Sequence, residues 1–153
     1  MPLRSLFPRV LRVADRWTQL LTEGHDIVFV VDEDLAVRDS LKFCLTLEGF
    51  SVRACGSGAE LLSRADLGQG RCLIMEAEMP DMDGFEVLAR LSARGVALPA
   101  ILITNYANAT FRRRAATAGV EHIVEKPLLN GSLLERIREV LGLHRRDAAL
   151  SPG

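Results

Sequence analysis

Residues 27–49 read IVFVVDEDLAVRDSLKFCLTLEG, and the spacing of the apolar residues changes partway along. Ile27 to Val31 form an unbroken, mostly β-branched run, the pattern of a parallel strand covered on both faces. Asp32 ends it. From Leu35 to Leu47, residues Val37, Leu41, Cys44, Leu45 and Leu47 recur at helical spacing, and Gly49 follows as a C-terminal cap. A strand that runs directly into a helix is one unit of an α/β fold.

The unit recurs along the chain. Apolar runs at Ser51–Cys55, Cys72–Glu76, Ala100–Thr104 and His122–Val124 are each followed by one helical stretch, at roughly Gly58–Ala65, Gly84–Ala93, Ala109–Ala118 and Ser132–Leu141. Five strands alternating with single helices predict right-handed crossovers and a doubly wound parallel sheet. Ligands in such sheets sit outside the carboxyl ends of the strands, where strand order reverses. The first strand brings Asp32, Glu33 and Asp34 to that rim, the third Glu76, the fourth Thr104 and Asn105, the fifth Glu125, Lys126 and Pro127. One hydroxyl, one ammonium and several carboxylates suit a hard cation together with phosphoryl oxygens. No glycine-rich phosphate loop is present, which argues against a nucleotide site.

Composition sets outer bounds. A chain of 153 residues, 48% hydrophobic, is the size of one domain with a substantial core. Its formal net charge of −1 provides no overall field to attract nucleic acid or an acidic surface. No apolar run approaches the ~20 residues that span a bilayer, and the N-terminus lacks the features of a signal peptide. A cytoplasmic protein without membrane attachment is expected. Cys44, Cys55 and Cys72 are odd in number, far apart and set in apolar segments, which predicts reduced core thiols rather than disulfides or a metal site.

The segments VVDEDLAVRDSL (30–41), MPDMDG (79–84), ILIT (101–104) and AGVEHIVEKP (118–127), in this order and spacing, resemble the receiver domain of bacterial two-component response regulators, CheY-like and closest to the FixJ-like regulators. The likeness runs from about Ile27 to Gly142. It implies a five-stranded flavodoxin-like fold of strand order 2-1-3-4-5 and Mg²⁺-dependent phosphoryl transfer from a histidine kinase to an aspartate. It also implies a signalling domain rather than an enzyme. By the same resemblance Asp32 and Glu33 would hold Mg²⁺ with the backbone carbonyl of Glu78, Thr104 would supply a hydroxyl to the phosphoryl group, and Lys126 would pair with it. The Lys126–Pro127 bond would be cis.

Glu76 occupies the position where the resemblance calls for the phosphoacceptor aspartate. One additional methylene moves the carboxylate by roughly one C–C bond, ~1.5 Å, and in-line transfer tolerates such errors poorly. Glutamate also carries one negative charge against roughly two on a phosphoryl group. Three readings follow: Glu76 mimics the phosphorylated state, or it forms an ion pair with Lys126 that freezes the domain, or Glu76 or a neighbour such as Asp81 accepts phosphate after all. The Mg²⁺ site would accordingly be weak or lost. Further departures are Ile123, where the family usually has an aromatic residue, Asn105, larger than the usual residue after the threonine, and the triplet Arg112–Arg114. The triplet is either a docking patch on the fourth helix or a solvated face with buried arginine stems.

Residues 1–24 precede the receiver, expected over 25–143, and residues 144–153 are expected to be a disordered tail. Val10, Val13, Trp17, Leu20 and Leu21 trace one apolar side and Arg9, Arg12 and Arg16 fall at i, i+3, i+7, so an amphipathic helix is expected there, packed on its own domain or on a second copy. With no helix-turn-helix domain after the receiver, direct DNA binding is not expected. The expected function is a stand-alone atypical receiver that acts by contact with a sensor histidine kinase or a downstream signalling protein. It would be independent of phosphorylation, with a homodimer formed through the N-terminal helix or the fourth-helix face. The alternative is a working Mg²⁺-dependent phosphoacceptor in a phosphorelay. A flavin carrier is disfavoured, because the acidic loop after the first strand would repel a phosphate.

Overall fold

The computed structural model describes residues 27–128 and 131–142. Five parallel strands, β1 (Ile27–Val31), β2 (Ser51–Cys55), β3 (Gly70–Glu76), β4 (Ala100–Thr104) and β5 (His122–Glu125), lie in the order β2-β1-β3-β4-β5. The intervening helices are α1 (Leu35–Leu47), α2 (Gly58–Leu62), α3 (Gly84–Ala93), α4 (Ala109–Thr117) and α5 (Ser132–Leu141). This is the doubly wound, flavodoxin-like arrangement expected from the sequence. The amphipathic helix expected within 1–24 and the tail at 144–153 lie outside the described residues.

The unbroken apolar runs have the burial they imply, since every residue of β1 is buried. Alternate residues feed two cores. Phe29, Val31, Leu73, Met75 and Leu102 point to the side covered by α2, α3 and α4, while Val28, Val30, Ile74, Ile101 and Ile103 point to the side covered by α1 and α5. Four helix starts are secured by a side chain that accepts a backbone N–H: Asp34 for α1, Ser57 for α2, Asp83 for α3 and Asn108 for α4. Gly49, with φ of 97°, takes the left-handed position after α1.

Two expectations need correction. The second helix ends at Leu62 rather than near Ala65, and a 3₁₀ turn at Leu67–Gln69 leads into β3. Ser63 Oγ donates to the Glu60 carbonyl, and Arg64 leaves the helical path to make two hydrogen bonds to Asp66 and to lie 5.6 Å from the centre of the Phe29 ring. Cys44, expected in the core, is exposed; Cys55 and Cys72 are buried. The Cys72 thiol is pushed up to about 12 by burial alone.

α2 and α3 pack closely at Gly58, where an added Cβ would stand 2.5 Å from Val87 Cγ2. Gly58→Ala is therefore expected to lower stability by about 1–3 kcal/mol in urea unfolding, the usual cost of overpacking a tight contact. The loss should shrink in a Val87→Ala background, and an equal loss in both would show that this contact is not the cause.

Candidate functional site

The strands end together at one rim, and most polar side chains there are partnered within the protein. Asp32, buried at the end of β1, is 1% exposed. Its Oδ1 accepts the Asp34 N–H at 2.9 Å, and its backbone carbonyl accepts Arg38 Nη1 at 2.8 Å. Glu76 closes β3 and is 7% exposed. Its Oε1 lies 2.8 Å from Lys126 Nζ. Lys126 reaches it from the turn after β5, where the Lys126–Pro127 bond is cis, and its backbone N–H is held by the Thr104 carbonyl at 2.8 Å. Backbone bonds from Ala77 N to Ile103 O and from Gly84 N to Ala77 O, both 2.8 Å, fix the loop that follows Glu76. Gly84 allows that closeness, since a Cβ there would meet Glu76 O and Ala77 Cα at 3.2 Å.

Burial pushes the Glu76 carboxyl above the usual carboxylate range. The Lys126 ammonium pulls it back, and the neighbouring Asp32 carboxylate adds to the rise. For Lys126, burial works against the charge, yet the Glu76 and Asp32 carboxylates outweigh it and raise the ammonium above its ordinary value. Asp32 Oδ2 is buried with no hydrogen-bond donor.

Thr104 is fully buried, and its hydroxyl donates to Glu78 Oε1 at 2.8 Å and accepts the Tyr106 N–H at 3.1 Å. The Glu78 side chain was not among the residues the sequence singled out, where only its backbone carbonyl was assigned a part. Its position in the loop two residues past Glu76 was the available signal. Glu125, at the end of β5, ties down the β4–α4 loop by accepting the Ala107 N–H at 2.8 Å.

The rim thus brings Asp32, Glu76, Glu78, Thr104 and Lys126 together. Glu33 is exposed and makes no hydrogen bond or ion pair among the described residues. No group of three or more His, Cys, Asp or Glu side chains among the described residues is arranged to cage a metal ion. Mg²⁺ does not demand such a cage, because it commonly keeps several waters and takes one or two carboxylates. The orphaned Asp32 Oδ2 is an acceptor of that kind.

Ile123 is partly buried and packs on the α2–α4 side of the sheet. Asn105 is exposed at the rim. All three arginines of the triplet are exposed. Arg114 lies 4.2 Å from the Phe85 ring centre and 3.4 Å from Asp83, while Arg112 donates to the Ala107 carbonyl. Two of the three therefore serve contacts within the domain.

A family model described as "Response regulator receiver domain" matches residues 28–138. Among curated proteins the chain is 33% identical over 122 residues to response regulator MprA of Mycobacterium leprae, covering 80% of this chain and 54% of that protein. It is 31% identical over 127 residues to transcriptional regulatory protein TdiR of Thauera aromatica, covering 83% and 56%. The chain thus spans about half the length of the curated relatives it matches. The crystal structure of FixJ-N superposes with a TM-score of 0.67 at 32% identity, covering 76% of this chain and 93% of that one.

Replacing Lys126 by Met leaves the Glu76 carboxylate buried without its counter-charge. Because the lysine side chain remains 22% exposed, a loss of roughly 1–3 kcal/mol is expected in urea unfolding, less than for a fully buried pair. The double variant Lys126→Met/Glu76→Gln should recover part of it, and a Lys126→Met protein as stable as the parent would show that the pair contributes nothing.

Proposed function

The chain belongs to the response regulator receiver domain family, and from that premise we propose that it is an atypical receiver whose contacts with other proteins do not wait for phosphorylation. As a receiver it acts in two-component signalling, and receiver domains are in general signalling domains rather than enzymes. The observation that carries the proposal is the 2.8 Å ion pair between Glu76 and Lys126. By resemblance to the family, Lys126 and Thr104 are the two groups that meet the oxygens of a phosphorylated aspartate. Here Glu76 takes the ammonium and Glu78 takes the hydroxyl. Glu76 therefore imitates a phosphoryl group toward Lys126 alone, and with one charge instead of about two. This supports a domain held in one state more than a full mimic of the activated one.

Receiver domains typically bind Mg²⁺ at the acceptor site. The unpartnered Oδ2 of Asp32 fits a cation, and Asp32 would hold Mg²⁺ with Glu33 and the Glu78 backbone carbonyl. When bound, the ion neutralises charge on transferring phosphoryl oxygens. That same oxygen favours a second reading, in which the pocket still accepts phosphate on Glu76 or a nearby carboxylate. A sensor histidine kinase or a downstream signalling protein is the partner that either reading implies. The α4 face is the candidate surface for a homodimer.

Incubation with acetyl phosphate and Mg²⁺, followed by intact-mass measurement, separates the two. The wild-type protein is expected to show no mass gain of one phosphoryl group, whereas Glu76→Asp is expected to show it. A stoichiometric adduct on the wild-type chain would overturn the phosphorylation-independent reading.

A further inference from the structure

The side of α1 that faces away from the sheet carries apolar groups with nothing over them among the described residues. Phe43 is 66% and Leu47 72% exposed. Together with Ala36 and Ser40 they fall at i, i+4, i+7 and i+11, down one side of the helix. The N-terminal half of that side opens into a groove of about 610 Å³ between α1 and the turn after β5, lined by Val37, Leu41, Cys44, Pro127 and Leu128 among others. Exposed apolar side chains are ordinary when scattered singly, whereas a stripe running into a groove marks a surface built to be covered.

The way the chain enters the sheet bears on what covers it. Ile27 is in register with Ser51 at the start of β2, and β2 begins four positions after α1 ends at Leu47. The first described residue, Ile27, therefore lies at the same end of the sheet as the C-terminal end of α1. Within them, Val10, Val13, Trp17, Leu20 and Leu21 lie at helical spacing over residues 9–22. As a helix that stretch would measure ~21 Å, against ~20 Å for α1. A helix of that length laid back along α1 from Ile27 would bring Trp17 level with Phe43 and Cys44.

We propose that residues 9–22 pack in cis as a helix on the exposed side of α1, with Trp17 against Phe43 and Cys44. The receiver then carries its own cover for this face, and a partner that uses α1 must first displace it. This holds whatever Glu76 does chemically.

Cys44 is exposed while Cys55 and Cys72 are buried, and Trp17 is the single tryptophan, so the full-length chain supplies its own pair of probes. A nitroxide attached to Cys44 is expected to quench most of the Trp17 fluorescence, and a Leu20→Asp substitution or urea is expected to restore it. Excess Trp17→Phe/Cys44→Ser protein, which neither fluoresces at that position nor carries a label, should leave the quenching unchanged. Absence of quenching would overturn the proposal, and quenching relieved by the excess protein would overturn it in favour of a second copy as the occupant. The unlabelled protein provides an independent reading: Cys44 should react with a thiol reagent severalfold faster in Trp17→Asp than in the parent. Equal rates would overturn the proposal.

Discussion

A sheet buried on both faces has nowhere to keep polar side chains except at the ends of its strands. β1 and the inner part of β3 are apolar throughout, and the buried polar residues among those described are Asp32, Glu76 and Thr104, each the last residue of a strand or the one after it. Removing a carboxylate or a hydroxyl from water without a partner costs several kcal/mol, so these three must find partners in one another's neighbourhood. Asp32 takes a backbone N–H, Thr104 takes Glu78, and Glu76 takes Lys126. The geometry of the rim is the outcome of that requirement.

The backbone leaves little room for adjustment. Glu76 is in register with Ile103, Thr104 with Glu125, and the Lys126 N–H is fixed to the Thr104 carbonyl. Against the aspartate that the family resemblance implies there, the additional methylene at position 76 cannot be absorbed by sliding a strand, since neighbouring strands share ladder bonds on both sides. It is taken up by the side chain, which reaches Lys126 and lies close enough to Asp32 for that carboxylate to push it up. Interiors that are packed this tightly pass a small change in one side chain to the next rather than dissipating it.

Sequence periodicity was enough for the sheet because unbroken β-branched runs have few alternatives to a covered strand, and Ile27–Val31 illustrates this. It failed where a side chain competes with the backbone. Nothing in the apolar spacing around Ser63 and Arg64 announces that a hydroxyl will bond to Glu60 and a guanidinium will leave for Asp66 and Phe29. Cys44 sits at the margin of α1's apolar side, where one helical step of about 100° decides between core and groove. At the rim, strand ends identified Asp32, Glu76, Thr104 and Lys126 as neighbours. The Glu78 side chain was invisible to that reasoning, because its contact with Thr104 depends on the path of a loop and not on the period of a strand.

The charges at the rim bear on which chemistry it can host. Asp32 and Glu76 bring two carboxylates against the single ammonium of Lys126, and Asp32 Oδ2 already lacks a donor. A phosphoryl group adds roughly two further negative charges. To be held as the family resemblance implies, it would have to draw Lys126 from Glu76 and the Thr104 hydroxyl from Glu78, leaving both glutamates without the partners that now satisfy them. Only a cation at Asp32 could offset that accumulation. Without phosphate the same residues need nothing more than the contacts they already make, apart from that one oxygen. A phosphoryl group held as the resemblance implies would therefore leave more polar atoms without partners than the contacts now present do, because it would compete with Glu76 for Lys126 and with Glu78 for Thr104.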